Sequence, residues 1–179
     1  MQNKISIRNA KNAKSGLQDM IDYIALPRES IILEIGSYVG DSTEIFAKNY
    51  DKVIAVDPWV NGYDDRDAAS YQHDMKTVES QFDDLMKKYD NIVKHKMTSS
   101  EYRDICFHRF DMIYIDGLHT YKGVKSDFTL WHDMIKHTGG WICGHDYQDR
   151  FPGTIKAIDE FKKPDKIFGD TSWCIKIVA

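Results

Sequence analysis

Short apolar runs and amphipathic stretches take turns along this chain of 179 residues. The run Ile31-Ile32-Leu33-Glu34-Ile35 lacks the alternation of a half-exposed strand and stops at a glycine, which predicts a strand buried on both faces. A helix follows from about Gly40, with Ile45 and Phe46 inward. Lys52 to Val56 predicts a second strand ending at Asp57-Pro58, and the polar, aromatic residues 58–67 predict a loop. Tyr71, Met75, Val78, Phe82, Leu85 and Tyr89 then recur at helical steps. Asn91 to His95 and Phe110 to Ile115 predict the third and fourth strands, the fourth with Asp116 at its end. A helical stripe of Tyr121, Val124, Phe128, Trp131 and Ile135 closes at Thr138-Gly139-Gly140. Trp141 to Gly144 predicts a fifth strand before His145-Asp146. Thr154 has the place of an N-cap for a helix with Ile155, Ile158 and Phe161 inward. Asp165 to Val178 predicts a β-hairpin turning at Gly169-Asp170. At the other end, Leu17, Met20, Ile21 and Ile24 make a short leading helix, with Ser15 and Gln18 at capping-box spacing.

Strands alternating with helices build a parallel sheet covered on both faces, so the expected class is α/β with a C-terminal antiparallel hairpin. No repeat, linker or shift in composition divides the chain. Residues 1–179 are expected to form one domain, with 1–29 a helical lead-in and 30–178 the core. Ligands of such sheets bind beyond the C-terminal ends of the strands, near the point where strand order reverses. That rule directs attention to 34–40, Asp57, 95–100, 116–121 and 145–147.

Composition narrows the function classes. The formal net charge is −4 and no Lys/Arg stripe stands out, which argues against a nucleic-acid surface, since such binding rests on cationic neutralisation of phosphates. No apolar run is long enough to span a bilayer, and the basic N-terminal stretch has no apolar segment after it, unlike a secretory signal. Cys106, Cys143 and Cys174 are odd in number, far apart and form no CxxC pair, so they are expected to be small core residues of a reducing compartment. The expected location is the cytoplasm.

Two constellations carry chemistry. In the first, Glu34-Ile35-Gly36-Ser37-Tyr38-Val39-Gly40 forms a glycine-containing turn between strand and helix, where backbone approaches a ligand closely and free N–H groups face it. Asp57 closes the second strand seventeen residues after Gly40, and a carboxylate there can accept hydrogen bonds from both ribose hydroxyls. E-x-G-x-x-x-G followed by V-I-A-V-D resembles motifs I and II of the class I S-adenosylmethionine-dependent methyltransferases. The resemblance implies a Rossmann-like seven-stranded sheet. It also implies S-adenosylmethionine as cofactor, bound by Glu34 of that motif, by Gly36, Ser37 and Gly40 at the methionine part, by Asp57 at the ribose, and by Trp59, Thr98 and Ser99 around the adenine. The rival is a nicotinamide-dependent oxidoreductase, whose G-x-G-x-x-G needs a glycine where this chain has Tyr38.

In the second constellation Asp116 and Asp146 end what should be adjacent parallel strands, close enough to share a divalent ion such as magnesium. Such an ion would lower the pKa of an acceptor hydroxyl, and His119 could then remove the proton as general base. D-G-x-H-x-Y, followed by a helix, G-G and H-D-Y, is similar to the methyltransferase group related to the macrolide-sugar O-methyltransferases, as is the segment Phe151 to Phe161. That resemblance covers residues 30 to 178. It implies Asp116 and Asp146 as metal ligands, with Asp116 also at the cofactor, and His119 as base. His145 stands where those relatives carry an acidic ligand, a departure that favours manganese, iron or zinc over magnesium. Each residue also has a plainer reading: Asp116 as a strand cap, His119 as a turn residue, His145 as an orienting group. Asp64, Asp65 and Asp67 form an acidic loop, expected to be solvated.

The expected function is therefore methyl transfer to a small acceptor, by resemblance the oxygen of a sugar, phenol or similar hydroxyl. A cofactor-binding relative without catalysis is the other alternative. No long insertion is present to cover the acceptor, and a partner subunit of a homo-oligomer could supply that cover.

Overall fold

The central runs 31–35, 53–56 and 112–115 pair into one sheet because they place apolar side chains on both faces and have little polar face to give to water. A computed structural model describes residues 5–6, 11–64 and 71–179, with the side chains of 11–14 outside the description. The strands are β1 (Ile31–Ile35), β2 (Lys52–Asp57), β3 (Ile92–Lys96), β4 (Met112–Ile115), β5 (Gly140–Gly144), β6 (Lys166–Ile167) and β7 (Trp173–Ile177). The helices are α1 (Lys11–Ile24), α2 (Asp41–Asn49), α3 (Met75–Met86), α4 (Ser99–Ile105), α5 (Tyr121–Ile135) and α6 (Pro152–Asp159). The seven strands lie in the order β3-β2-β1-β4-β5-β7-β6, parallel from β3 to β5 and antiparallel for the last two. Strand order reverses at β1, between β2 and β4.

Alternation along each strand divides the core into two layers. Ile32, Val53 and Ala55 face a layer with Leu17, Met20, Phe46 and Phe82 from α1, α2 and α3. Leu33, Ile54, Val56 and Ile113 face the opposite layer with Tyr102, Phe128, Trp131 and Ile158 from α4, α5 and α6. The three cysteines are free and buried. No helix among the described residues is long and apolar enough to cross a membrane.

Several local expectations need correction. α1 begins at Lys11, so Ser15 lies inside the helix and forms no capping box with Gln18, whose amide instead reaches Asp22 and Asn49. The helical stripe expected from Tyr71 is broken: Tyr71 and Gln72 are helical, 73–74 are not, and α3 starts at Met75, whose N–H the Asn61 side chain accepts at 2.7 Å. Thr154 is not a cap: Phe151 takes that place and Pro152 occupies the first turn, where its missing N–H costs nothing. α4 was not expected at all, although Thr98 and Glu101 carry a complete capping box.

Candidate functional site

Register places the chemistry on one edge. Ile35 pairs with Val56 on one side and with Ile115 on the other, and Ile115 pairs with Gly144. The next residues, Gly36, Asp57, Asp116 and His145-Asp146, therefore emerge together beyond the strand ends. They line one cavity of about 350 Å³, a size ordinary for small-molecule sites.

The glycine turn is shaped by close approach. Gly36 has φ 87°, and a Cβ there would lie 2.1 Å from the Asp116 carbonyl oxygen. Gly40, at φ 88°, caps α2 and would drive a Cβ to 2.4 Å from Leu85. Tyr38 is left-handed as well, at φ 48°, and its N–H donates to Asp57 Oδ2 at 3.0 Å. Asp57 Oδ1 accepts the Trp59 N–H at 2.7 Å. Burial pushes the Asp57 carboxyl up, against these backbone donors. The turn thus spends an N–H on the carboxylate of the neighbouring strand instead of presenting it to a pyrophosphate, and Asp57 keeps lone pairs for a ribose.

On the β4–β5 side, His119 is held by both ring nitrogens. Its Nδ1 lies 2.9 Å from Asp64 Oδ2 and its Nε2 lies 2.7 Å from Asp146 Oδ2. The His119 N–H also donates to Asp64 Oδ2 at 2.7 Å. Asp116 Oδ1 is 3.8 Å from His119 Nε2 and 3.8 Å from His145 Nδ1, and His145 Nδ1 is 3.3 Å from Asp146 Oδ2. Burial works to lower the His119 pKa, but Asp116, Asp146 and Asp64 outweigh it and push it up to about 12. Asp146 is also opposed by burial, yet His119 and His145 hold its carboxyl well below the usual carboxylate range. Both ring nitrogens of His119 thus face a carboxylate at hydrogen-bond distance, so its imidazole is fixed in orientation between Asp64 and Asp146. Asp146 takes a left-handed backbone, φ 60°, to aim its carboxylate inward.

The family model described as a methyltransferase domain matches residues 33–147, well over half of the chain. The chain belongs to that family. No curated protein matches it in sequence. Among solved structures, the N-methyltransferase NodS from Bradyrhizobium japonicum WM9 is 12% identical, with TM-score 0.63 over 97% of this chain and 100% of that one. An O-methyltransferase from Bacillus cereus, solved in complex with SAH, is also 12% identical, with TM-score 0.63 over 97% and 84%. Precorrin-6y C5,15-methyltransferase from Geobacter metallireducens GS-15 is 11% identical, with TM-score 0.63 over 97% and 93%. At these identities the likeness is one of fold, and the fold is the Rossmann-like methyltransferase sheet.

The methyltransferase cavity gathers some of the expected residues and not others. Gly36, Ser37, Asp57, Ser99, Asp116, His119, His145 and Asp146 line it. Trp59 does not. Its indole turns into the core, 5.0 Å from the Phe82 ring, and donates to the Tyr38 carbonyl at 2.8 Å, while Val60 and Tyr63 of the same loop reach the cavity. Thr98 is committed to capping α4 and does not line the cavity either. Glu34 is wholly buried beneath the floor, where it accepts from Thr43; burial, countered by the Ser42 and Thr43 hydroxyls, pushes it up to about 7. Gly40 acts as a spacer under α3 rather than as lining.

Asp64 is the residue that sequence reasoning missed. It was expected in a solvated loop and is 5% exposed, bonded to His119. Asp65 and Asp67 lie outside the described residues. The only prior signal for Asp64 was its position in a loop flanking the pocket.

S-adenosylmethionine fits this wall on two observations. The bend lets backbone reach the ligand, and the Asp57 carboxylate beside it, held by the Tyr38 and Trp59 backbone N–H groups, has lone pairs left for hydroxyl donors. Asp116, His119 and Asp146 could hold a metal ion, since each offers one ligand atom and all lie within 4.8 Å of one another. His145, expected among the ligands, stands beside that trio, and His119 takes its place.

Proposed function

We propose that this S-adenosylmethionine-dependent methyltransferase domain methylates an oxygen of a small hydroxylated acceptor, a sugar, phenol or similar alcohol. The observation that carries the reading is the His119 imidazole clamped between Asp64 and Asp146, across β1 from Asp57 and in the same cavity. Attack of the hydroxyl on the sulfonium methyl forms a C–O bond and breaks the C–S bond, leaving one proton to be taken up. Three carboxylates surround one imidazole here, so the cluster carries surplus negative charge. It can accept an acceptor O–H as a hydrogen bond, orient the oxygen toward the methyl group and receive the proton. Asp64 keeps the imidazole in place by holding Nδ1 and the backbone N–H of the same residue.

A divalent ion suits the same cluster. Two carboxylates and an imidazole favour manganese, iron or zinc over magnesium. Bound there, such an ion would supply Lewis acidity to the acceptor oxygen. The residues holding it would be Asp116, His119 and Asp146.

The test is transfer of labelled methyl from S-adenosylmethionine to a panel of sugars, phenols and catechols beside matched amines, with and without chelator. Label is expected in a hydroxylated acceptor, and Asp146→Ala is expected to suppress it. Label confined to amines would overturn the oxygen assignment. Turnover unchanged by chelator would remove the ion and leave the side-chain network to act alone.

A further inference from the structure

One cation on the cavity wall belongs to neither constellation. Among the described lining residues seven are aspartates, and Arg150 is the one arginine, with no lysine beside it. Its guanidinium is exposed and lies over the Phe151 ring, with Cζ 5.5 Å from the ring centroid. No carboxylate among the described residues pairs with it, although the cavity is lined with them.

The backbone sets where Arg150 stands. The Gln148 N–H donates to the Asp146 carbonyl and the Phe151 N–H to the Gln148 carbonyl, each at 2.9 Å, so residues 146–151 form one closed turn. The Gln148 side-chain amide also donates to Asp146 Oδ1 at 2.6 Å. Phe151 is buried and packs its ring on His119, with the two ring centroids 4.6 Å apart. One phenyl ring thus touches both imidazole and guanidinium, and Arg150 is no farther from His119 than those two spans laid end to end. Phe151 also caps α6 without a side-chain hydrogen bond, so the positive end of that helix adds to the arginine charge.

Charge then sorts the two ends of an acceptor. The aspartates repel an anionic group everywhere except beside Arg150, whereas a hydroxyl is a donor that suits the His119–Asp146 network. A carboxylate matches the fork of a single guanidinium; a doubly charged phosphate would meet the aspartates with too little compensation. We propose that the acceptor is a hydroxylated carboxylic acid, its carboxylate held by Arg150 and its hydroxyl turned to His119, a refinement that rests on the oxygen-methylation reading above. Its polar ends stand a ring's width apart, as in a hydroxybenzoate or a hexuronic acid.

The test measures kcat/KM of the full chain for acceptor pairs that differ by one charge, at a pH that ionises each acid. The pairs are meta- and para-hydroxybenzoate against the matching hydroxybenzamides, and glucuronate against glucose. The wild type should favour the acids by about five-fold or more, the range for a partly exposed charge pair. Arg150→Ala should bring the ratio close to one, with the loss on KM rather than kcat, and Arg150→Lys should keep part of it. S-adenosylhomocysteine affinity, read by calorimetry, should stay within about two-fold in both variants. Label in hydroxylated acceptors without preference for the acids, or a preference that survives Arg150→Ala, would overturn this assignment alone. A parallel loss of S-adenosylhomocysteine affinity would also overturn it, because the guanidinium would then serve the donor. Label confined to amines would overturn the oxygen reading and this refinement together.

Discussion

The two ends of the cavity are built in different ways. At the β1–β2 end the working groups are backbone: a bend at Gly36, the Tyr38 and Trp59 N–H groups, and one carboxylate, Asp57, that they hold. At the β4–β5 end the working groups are side chains drawn from three separate segments, Asp64, Asp116 with His119, and His145 with Asp146. The first end depends on shape and tolerates little change in volume. The second depends on charge balance and tolerates isosteric change in shape while losing its chemistry. Substitutions should separate the two.

The largest expected effect is on turnover at the side-chain end. His119→Ala should lower the methyl-transfer rate by about a hundred-fold or more, the range for removing a group that handles a proton. S-adenosylhomocysteine affinity, measured by calorimetry, should stay within about two-fold, because no part of the glycine bend is touched. Equal losses in rate and affinity would show that the two ends are not separable.

Next comes shape at the backbone end. Gly36→Ala puts a methyl group 2.1 Å from the Asp116 carbonyl oxygen, at a φ of 87° that alanine avoids. Strain and overpacking together should cost about 3 kcal/mol, read by denaturant unfolding. A loss below about 0.5 kcal/mol would mean that the two loops separate easily.

The smallest effect is a slope. The His119 pKa is raised on folding from 6.5 to about 12, so its contribution to stability is complete below 6.5 and is lost as pH rises toward the folded value. Glu34 and Asp127, pushed up to about 7 and about 6, have already lost most of their protons in both states by roughly pH 8. Between roughly pH 8 and 9 the melting temperature should therefore fall, and His119→Ala should flatten that fall. A slope unchanged by the substitution would show that His119 is not the charge lost.

This division also explains what could be read from the chain. Strands β1, β2 and β4 were legible because burial on both faces leaves continuous apolar runs, β3, β5 and the terminal hairpin because turn residues bound shorter runs, and Gly36 and Asp57 because they sit at run ends within one short motif. Helix α4 was missed: seven residues carry too few apolar positions to show a period, and its Thr98–Glu101 cap was the one available sign. Trp59 misled because an aromatic next to a strand-end carboxylate can turn either way, and here the Phe82 ring and the Tyr38 carbonyl drew it inward. Asp116, His119 and Asp146 were legible as strand-end residues, but their mutual distances were not. Asp64 was not legible, since its burial depends on His119, 55 positions further along the chain.

The segment from Asp57 to Asp64 is fastened at both ends, to the Tyr38 and Trp59 N–H groups at its start and to His119 at its finish. A strap buckled twice cannot swing as a hinged flap. Widening the cavity on this flank means unfastening either the Asp57 carboxylate or the imidazole, so a molecule forced through here would disarm one half of the machinery before reaching the other.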